Sequence, residues 1–328
     1  MSSILSIGHP TLDLFLPLKD AHLQDAGMNL EELCLPYPDK MRVDRLDMLP
    51  GGNAVNVAAG LKTLGQDAKL LVHQSDDIPG AVLSEYYEEV GIPVLGDMRK
   101  EETDVSVVLS YEGDRVILSH HAPASWDWIG LPAEVDWVYL SSIGTETFQP
   151  LHRELKADLM ERPDVRCAYN PGTRELKHPA GELEILEVVD LLVVNRKEAC
   201  TLLQQEVREA SGAVMDDLTG ELRQFGPDHV VITDGDQGAW GRSSEGLFYQ
   251  PPFPTEVVES TGAGDAFSAG CVGAMMEGHE LFEAVRWGSA MSHSVLQSIG
   301  ATEGILNRKQ MESVLSEHED RRPERRSS

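Results

Sequence analysis

The chain has 328 residues, of which 41% are hydrophobic and 25% are charged, a composition typical of a globular protein with a sizeable interior. Its 27 basic and 55 acidic residues give a net charge of -28, which repels nucleic acids and anionic membranes. We therefore expect neither as a partner. The acidic surface serves solubility or, as an alternative, adaptation to a salt-rich cytoplasm.

Short β-branched or leucine-rich segments alternate with helical patterns, which is typical of a parallel sheet with helices on both faces. In chain order, the core strands are predicted at Ser3–Ile7, Ala68–Val72, Trp137–Ser141, Arg166–Tyr169, Leu191–Val194 and Val230–Thr233. The helices are predicted at about Ala54–Leu64, Gly80–Val90, Phe148–Glu161, Arg196–Leu203, Ala213–Gln224, Ala263–Glu277, Leu281–Ser298 and Arg308–Glu317. The predicted fold class is therefore α/β, a three-layer sandwich around a mostly parallel central sheet.

Two regions interrupt this alternation with extended segments. They are Phe15–Met48 and Thr103–His121, and the second has the pattern of a hairpin that turns at Glu112–Asp114. Strands outside the main sheet must pack elsewhere, and a small β-sheet lid over its carboxyl edge is the natural place. We expect one domain over residues 1–317 with lid segments at about 15–48 and 103–121, followed by a charged, frayed tail at 318–328.

Three features predict a cytoplasmic location. The N-terminus lacks a basic leader before its apolar residues, and no apolar stretch approaches the roughly 20 residues that span a bilayer. The cysteines show no paired short spacing of the kind that zinc or a redox dithiol needs. We expect all four to be buried small hydrophobic residues in a reducing compartment: Cys34, Cys167, Cys200 and Cys271.

The segment ESTGAGDAF (residues 259–267) opens the predicted helix at Ala263 with an unusually small loop. Gly262 and Gly264 permit conformations closed to other residues and expose amide N–H groups at the positive end of the helix dipole, which suits an anion. Asp265 would repel a phosphate, but it is well placed as a base that takes a proton from a hydroxyl. The alternative is an ordinary helix start, in which Thr261 or Asp265 caps the free amides.

A second glycine pair also opens a helix, in PGGNAVNVAAGLKTLG (residues 50–65). Gly51 and Gly52 let a ligand contact the backbone, and Asn53 and Asn56 offer the amide donors and acceptors that a polyhydroxylated ligand needs. The alternative is that Asn53 merely caps the helix.

Together these two segments resemble the signatures of the ribokinase-like, or PfkB, family of sugar and nucleoside kinases. Two further segments between them are similar to family elements: VVNRKEA (193–199) to an N-x-x-E motif, and VVITDGDQGAW (230–240) to a strand and turn near the nucleotide. The resemblance spans nearly the whole chain. It implies an α/β fold with a β lid, a divalent ion, and ATP-dependent phosphorylation of an alcohol.

The resemblance also implies roles for residues of the two signatures. Asp265 would deprotonate the acceptor hydroxyl, and Gly262, Ala263 and Gly264 would form the anion hole for the transferring phosphoryl group. Phosphoryl transfer leaves little covalent work to a protein, so alignment and charge stabilisation must supply most of the rate. This physical requirement agrees with a loop that offers amides beside a carboxylate.

On the nucleotide side, the resemblance implies that Asn195 and Glu198 support Mg²⁺, the glutamate through water because this ion sheds its hydration reluctantly. The alternative for this pair is a helix cap. The residues expected to line the ATP site are Asn195, Thr233, Gly235 and Gly238. A plain turn before a hairpin is the alternative for the last three.

On the acceptor side, the resemblance implies that Asp13 binds hydroxyl groups above a floor of Gly51, Gly52 and Asn56. Arg174, in AYNPGTREL (168–176), either reaches an acceptor carboxylate or the transferring phosphate, or is a solvated loop residue. His120 and His121 end the lid hairpin near where acceptors bind in relatives, unless they are an exposed strand end.

One residue departs from the family pattern, which usually has aspartate two positions before the threonine of the C-terminal motif. This chain has Glu259 at that position. Two alternatives therefore stay open: Glu259 belongs to a K⁺ site and K⁺ activates the protein, or the monovalent-cation site of the family is altered in this chain.

The acceptor is expected to be a small sugar or sugar acid. Nucleoside kinases usually hold the base between lid aromatics, and Phe15, Tyr37 and Tyr111 could do so, but only 6% of the chain is aromatic. The alternatives are a nucleoside kinase of the same family and a non-catalytic ligand-binding relative. We also expect two copies to pair through their lids, because unpaired strand edges invite association.

Overall fold

The computed structural model of the protein describes residues 2–27, 30–37, 39–96, 98–99, 102–112, 114–123, 126–145 and 148–326. Its strands are β1 (Ser3–Ile7), β2 (Thr11–Pro17), β3 (His22–Gly27), β4 (Leu30–Cys34), β5 (Asp47–Gly51), β6 (Asp67–Leu71), β7 (Gln74–Ser75), β8 (Met98–Arg99), β9 (Asp104–Tyr111), β10 (Asp114–His120), β11 (Trp137–Leu140), β12 (Arg166–Tyr169), β13 (Leu191–Asn195), β14 (His229–Thr233), β15 (Ala239–Ser243), β16 (Gly246–Gln250) and β17 (Glu324–Arg326). Its helices are α1 (Asn53–Thr63), α2 (Ile78–Val90), α3 (Gln149–Glu161), α4 (Pro179–Ile185), α5 (Arg196–Leu202), α6 (Gly212–Arg223), α7 (Ala263–Met276), α8 (Leu281–Val295) and α9 (Arg308–Glu317).

The centre of the fold is a main sheet with the strand order β17-β16-β15-β14-β13-β12-β11-β1-β6. From β14 to β6 the neighbouring strands run parallel, whereas β15, β16 and β17 are each antiparallel to the preceding strand. Because the carboxyl ends of parallel strands meet at one edge, the loops that follow β1, β12, β13 and β14 converge there. The prediction of a mostly parallel central sheet is therefore confirmed.

Helices cover both faces of the main sheet, and successive side chains of a strand point into opposite cores. On β1, Ile4 belongs to the core built with α1, α2, α7, α8 and α9, whereas Leu5 belongs to the core built with α3, α5 and α6. Small residues on α7 let α8 approach closely, since a Cβ at Gly270 would lie 2.6 Å from the carbonyl oxygen of Trp287. The three-layer α/β fold is thus as predicted.

A small sheet with the order β10-β9-β2-β5 lies at the carboxyl edge of the main sheet. It stays at this edge because β2 begins only four residues after β1 ends, and because β5 runs directly into α1. The strands β3 and β4 form a separate hairpin. The predicted small sheet is therefore present, although its first strand begins at Thr11 and not at Phe15.

The fold differs from the sequence prediction at the hairpin of β15 and β16, which was not among the predicted strands, at α4 and in the tail. Helix α4 is only seven residues long, so it is too short to show a clear apolar period. Residues Glu324–Arg326, in the tail that we expected to be frayed, form β17 and pair with β16. An unpaired β16 would present a bare sheet edge, and the tail covers it.

The cysteines and helices agree largely with the expected type of protein. Cys167, Cys200 and Cys271 are buried, whereas Cys34 on β4 is only half-buried, and all four are free thiols. In the described part of the chain, no helix is both long enough and apolar enough to cross a membrane.

Candidate active site

Two clefts lie at the carboxyl edge of the main sheet, one on each side of the glycine loop, which we define as residues 260–265. The polar cleft has a volume of about 360 Å³ and the apolar cleft a volume of about 480 Å³. The loop lines the polar cleft with Thr261, Gly262 and Asp265, and the apolar cleft with Ser260, Ala263 and Gly264. A group held at the loop is therefore within reach of molecules in both clefts.

The two glycines of the loop have different reasons to be glycine. Gly262 precedes α7 with φ of 77°, in the left-handed region, and a Cβ there would lie 2.3 Å from the Cβ of Ala301. At Gly264, in contrast, a Cβ would meet no other atom within 4 Å. The fold therefore requires glycine at residue 262 but not at residue 264, where its absence of a side chain keeps the helix N-terminus open to the apolar cleft.

The side chains next to these glycines do not cap the helix. Thr261 donates its hydroxyl to Glu259, and the carboxylate of Asp265 accepts from Asn53 and Asn56, so both are engaged elsewhere. The N-cap residue of α7 is Gly262, and no side chain caps the helix. The Ala263 amide donates a long bond of 3.4 Å to Ser260 O, and the positive end of the helix dipole favours an anion at this terminus.

Asp265 is the most constrained carboxylate of the polar cleft. It is 7% exposed, and its two oxygens accept hydrogen bonds from Asn53 Nδ2 at 2.8 Å and Asn56 Nδ2 at 2.7 Å. Burial raises the pKa of Asp265, and the two amide hydrogen bonds oppose that rise. The two asparagines therefore fix the carboxylate in one orientation, a role that differs from the ligand contacts expected for Asn53. Asn56 keeps its Oδ1 without a hydrogen-bond partner among the described residues.

Asp13, on β2, is a second buried carboxylate of the polar cleft. It accepts a hydrogen bond from the Thr11 hydroxyl at 2.7 Å, and a Cβ at Gly51 would lie 2.2 Å from its Oδ2. Burial raises the pKa of Asp13, hydrogen bonds from Thr11 and Ser106 lower it, and the charge of Asp265 raises it further. Gly51 therefore makes room for Asp13 from behind, whereas Gly52 lines the cleft itself.

The opposite wall of the polar cleft carries basic and amide side chains. Arg174 and Asn170 come from the loop after β12, and His9 comes from the loop after β1. His121, at the end of β10, also lines the cleft, as the resemblance implies. The sequence reasoning missed His9, although its position two residues after a predicted core strand is a signal for this edge of the sheet.

Asn195 and Glu198 form a helix cap, which was the alternative to Mg²⁺ binding in the sequence analysis. Asn195 N donates to Glu198 Oε2 at 2.8 Å and Glu198 N donates to Asn195 Oδ1 at 2.9 Å, a reciprocal capping box at the start of α5. Glu198 nevertheless lines the polar cleft, and burial raises its pKa, with the charge of Asp265 adding to the rise. Asn195 is exposed. The cap and a role toward a metal ion are thus compatible for Glu198.

The apolar cleft contains the three residues expected at its turn: Thr233, Gly235 and Gly238. Gly238 has φ of 86° and a Cβ there would lie 2.3 Å from the carbonyl oxygen of Gln250, so the turn needs glycine at this position. The surface of this cleft is mostly apolar, and its lining includes Phe253, Val257 and Leu296. An apolar slot beside a helix N-terminus can hold a flat aromatic ring next to a phosphate chain.

Glu259 lies behind the glycine loop, at a cavity of about 220 Å³ that it shares with the small sheet. It is 6% exposed, and it accepts hydrogen bonds from Thr261 N at 2.8 Å and Thr261 Oγ1 at 2.6 Å. Arg115 of β10 places its Nε 3.9 Å from Glu259 Oε1 and donates to the Ser260 hydroxyl. The small sheet thus brings a positive charge to the residue for which a K⁺ site was considered.

Comparison with known proteins gives consistent matches. The sequence model of a family described as pfkB family carbohydrate kinase matches residues 16–308. The ATP-dependent ribose-1-phosphate kinase of Halopiger xanaduensis is 27% identical over 251 residues, covering 73% of this chain and 78% of that protein. The 5-dehydro-2-deoxygluconokinase of Lacticaseibacillus casei is 26% identical, covering 82% and 87%. The crystal structure of ribokinase from Cryptococcus neoformans var. grubii in complex with ADP matches with a TM-score of 0.76 at 20% identity, covering 96% and 99%.

Proposed function

Because the chain belongs to the pfkB family of carbohydrate kinases and is therefore a phosphotransferase, we propose that it transfers a phosphoryl group from ATP to a hydroxyl of a small sugar or sugar acid. The observation that carries this proposal is the position of the glycine loop between two clefts. ATP would occupy the apolar cleft, with its phosphates at the N-terminus of α7, and the acceptor would occupy the polar cleft.

Asp265 is proposed as the general base. Its carboxylate belongs to the glycine loop and lines the polar cleft, where the acceptor is proposed to bind, and Asn53 and Asn56 hold it in place. A carboxylate whose pKa is raised by burial is a stronger base once it is deprotonated. The amides of Gly262, Ala263 and Gly264 would stabilise the charge on the transferring group, as preorganised donors do in a water-poor site.

Sites for Mg²⁺ and K⁺ are proposed from the carboxylate oxygens of Glu198 and Glu259. Mg²⁺ prefers hard oxygen ligands and retains several waters, so the Glu198 carboxylate in the polar cleft fits an outer contact, and the ion would neutralise phosphate charge. Glu259 has a buried Oε2 without a hydrogen-bond partner in the described part of the chain, which fits a monovalent cation, and that ion would share the carboxylate with Arg115, whose Nε lies 3.9 Å from Oε1. Asn195, Thr233, Gly235 and Gly238 are proposed to contact ATP.

A sugar or sugar acid fits the polar cleft better than a nucleoside. The described residues that line this cleft include no Phe, Tyr or Trp. Phe15 is buried in the core and Tyr37 is 96% exposed, and Tyr111 lines the separate cavity near Glu259. Asp13, Asn56 and the Gly52 backbone can instead bind neighbouring hydroxyls, and Arg174 can bind a carboxylate or phosphate.

The small sheet is proposed to act as a lid and as the contact between two copies of the chain. Ile117 of β10 lines the polar cleft, so its neighbours Val116 and Leu118 point to the other face, where they are 40% and 56% exposed. Apolar side chains on an edge strand favour pairing with a second copy. Light scattering that shows only monomer at micromolar concentration would contradict the dimer. The ATP substrate agrees with the cytoplasmic location, which stays a prediction.

The test is a screen of sugars, sugar acids, sugar phosphates and nucleosides with ATP and Mg²⁺, measured as ADP formation. We expect turnover with a sugar or sugar acid, and we expect Asp265→Asn to lower kcat by a factor on the order of 10² or more while ATP affinity changes little. Near-normal kcat in that variant would remove Asp265 as the base. Ligand-induced melting shifts without turnover of any acceptor would identify a binding protein instead.

A further inference from the structure

Three side chains outside the proposed phosphoryl-transfer machinery form a cluster where the small sheet meets the main sheet. His9 follows β1, Asp104 begins β9, and His121 follows β10. One potential ligand atom from each lies within 4.8 Å of those from the other two. The imidazoles of His9 and His121 also line the polar cleft. We propose that His9, Asp104 and His121 bind a first-row divalent transition-metal ion, with Zn²⁺ as the type case.

The residue types of this cluster match the ion. Two imidazoles and a carboxylate suit Zn²⁺ and its neighbours in the first transition row, whereas Mg²⁺ prefers sites made only of oxygen. Three protein ligands with a fourth position open to a cleft are the usual arrangement of a zinc site that also binds a small molecule. Here two of the three ligands, His9 and His121, line the polar cleft, so a small molecule in the cleft could reach the ion.

A hydrogen bond to the backbone orients the imidazole of His9 as a metal site requires. His9 Nδ1 lies 3.0 Å from the carbonyl oxygen of Ser142, so Nδ1 carries the proton and the lone pair is on Nε2. Metal-binding histidines commonly donate their other ring nitrogen to a backbone carbonyl or a carboxylate in this way.

Asp104 is held in a similar manner. Its Oδ1 accepts a hydrogen bond from Ala122 N at 2.9 Å, and its Oδ2 lies 2.6 Å from His121 Nδ1. Ligand atoms on one Zn²⁺ are roughly 3.3 Å apart, given a metal–nitrogen distance of about 2.0 Å. The three side chains therefore need to close by less than about 1.5 Å, which side-chain rotation can supply.

An ion at this site would affect both how the two sheets are connected and the charge of the polar cleft. It would connect the main sheet, through His9, to the small sheet, through Asp104 and His121. It would also place two positive charges in a cleft that holds Asp13, Glu198 and Asp265, in a chain of net charge -28. Metal binding itself does not rest on the proposed kinase function.

The experiment measures binding of Zn²⁺ alone, without nucleotide or acceptor, by competition with a chromophoric chelator, and repeats it with Co²⁺ by visible absorption. The proteins compared are the wild-type full chain and the variants His9→Ala, His121→Ala and His22→Ala. The last is the control, because it removes an exposed histidine from β3. We expect one ion per chain, a loss of affinity of at least about tenfold in His9→Ala and His121→Ala, and no change in His22→Ala. Zn²⁺ should also raise the melting temperature of the full chain in buffer with excess Mg²⁺.

Circular dichroism melting in metal-free buffer shows whether each variant is folded. If His121→Ala does not fold, His121→Gln takes its place, because glutamine is polar and keeps a similar reach toward Asp104. Equal Zn²⁺ affinity of the full chain and the folded cluster variants would overturn the proposal. An equal loss of affinity in His22→Ala would overturn it as well, since the ion would then bind to surface histidines in general.

Discussion

Removal of one hydrogen bond to Asp265 should change how activity depends on pH. Asn53 Nδ2 donates to Asp265 Oδ1 at 2.8 Å, and Asn53→Ala removes this donor while leaving the bond from Asn56. Burial already raises the pKa of Asp265, and loss of a bond to the charged form raises it further. A base works only when it is deprotonated, so the acidic limb of the kcat/KM profile should move to higher pH in the variant.

The size of the effect follows from the strength of the lost bond. A hydrogen bond to a charged group contributes about 1.5–3 kcal/mol, and about 1.4 kcal/mol corresponds to a factor of ten in proton affinity. Asp265 lines an open cleft, so water replaces part of the lost bond and the lower value applies. We therefore expect kcat/KM of Asn53→Ala to be about tenfold lower than wild type at acidic pH, with a smaller difference at alkaline pH.

The assay is steady-state kcat/KM as a function of pH for the wild type, Asn53→Ala and the control Asn307→Ala. Asn307 caps α9, where its side chain accepts from Gln310 N at 3.0 Å, outside both clefts. The control should lose about 1 kcal/mol of stability and keep the wild-type pH profile. If Asn53→Ala lowers kcat/KM by the same factor at every pH, then the ionisation of Asp265 does not set the acidic limb.

Two further predictions concern the glycine loop and Glu198. Gly264→Ala should leave the melting temperature unchanged or slightly raised, while kcat falls by about 10² or more. Gly262→Ala should instead lose about 1–3 kcal/mol of stability, because alanine is strained at φ of 77°. Normal kcat in folded Gly264→Ala would contradict the anion hole. Glu198→Gln should keep the capping box and the melting temperature but weaken apparent Mg²⁺ affinity about tenfold or more, and unchanged Mg²⁺ dependence would leave Glu198 as a cap alone.

The sequence predicted best those features that depend on local pattern. Each parallel strand of the main sheet was found because buried parallel strands are continuous apolar runs, whereas the antiparallel β15 and β16 were not among the predicted strands. Gly52 and Gly262 were found because their left-handed backbone admits little else. For such residues the local motif alone predicts the position in the fold. Asp13, Asn56 and Asp265 accordingly meet in one cleft.

Features that depend on tertiary pairing were harder to predict. The sequence shows that Asn53 can donate a hydrogen bond, but not that its partner is Asp265, 212 positions away. The cluster of His9, Asp104 and His121 likewise forms only when the small sheet packs against the main sheet. A strand as short as β17 has too few residues to show alternation, and its pairing with β16 decides its conformation.

The covering of β16 by β17 has a consequence for how copies of the chain associate. All three residues of β17 are charged and exposed, and Arg325 and Arg326 are paired with Glu245 and Glu324. A strand from another chain that paired with this edge of the sheet would lie next to the charged side chains of β17, and this discourages growth of the sheet into fibres. The small sheet has the opposite character at β10, where Val116 and Leu118 are exposed, so the proposed pairing of two copies would use the small sheet and leave this edge free.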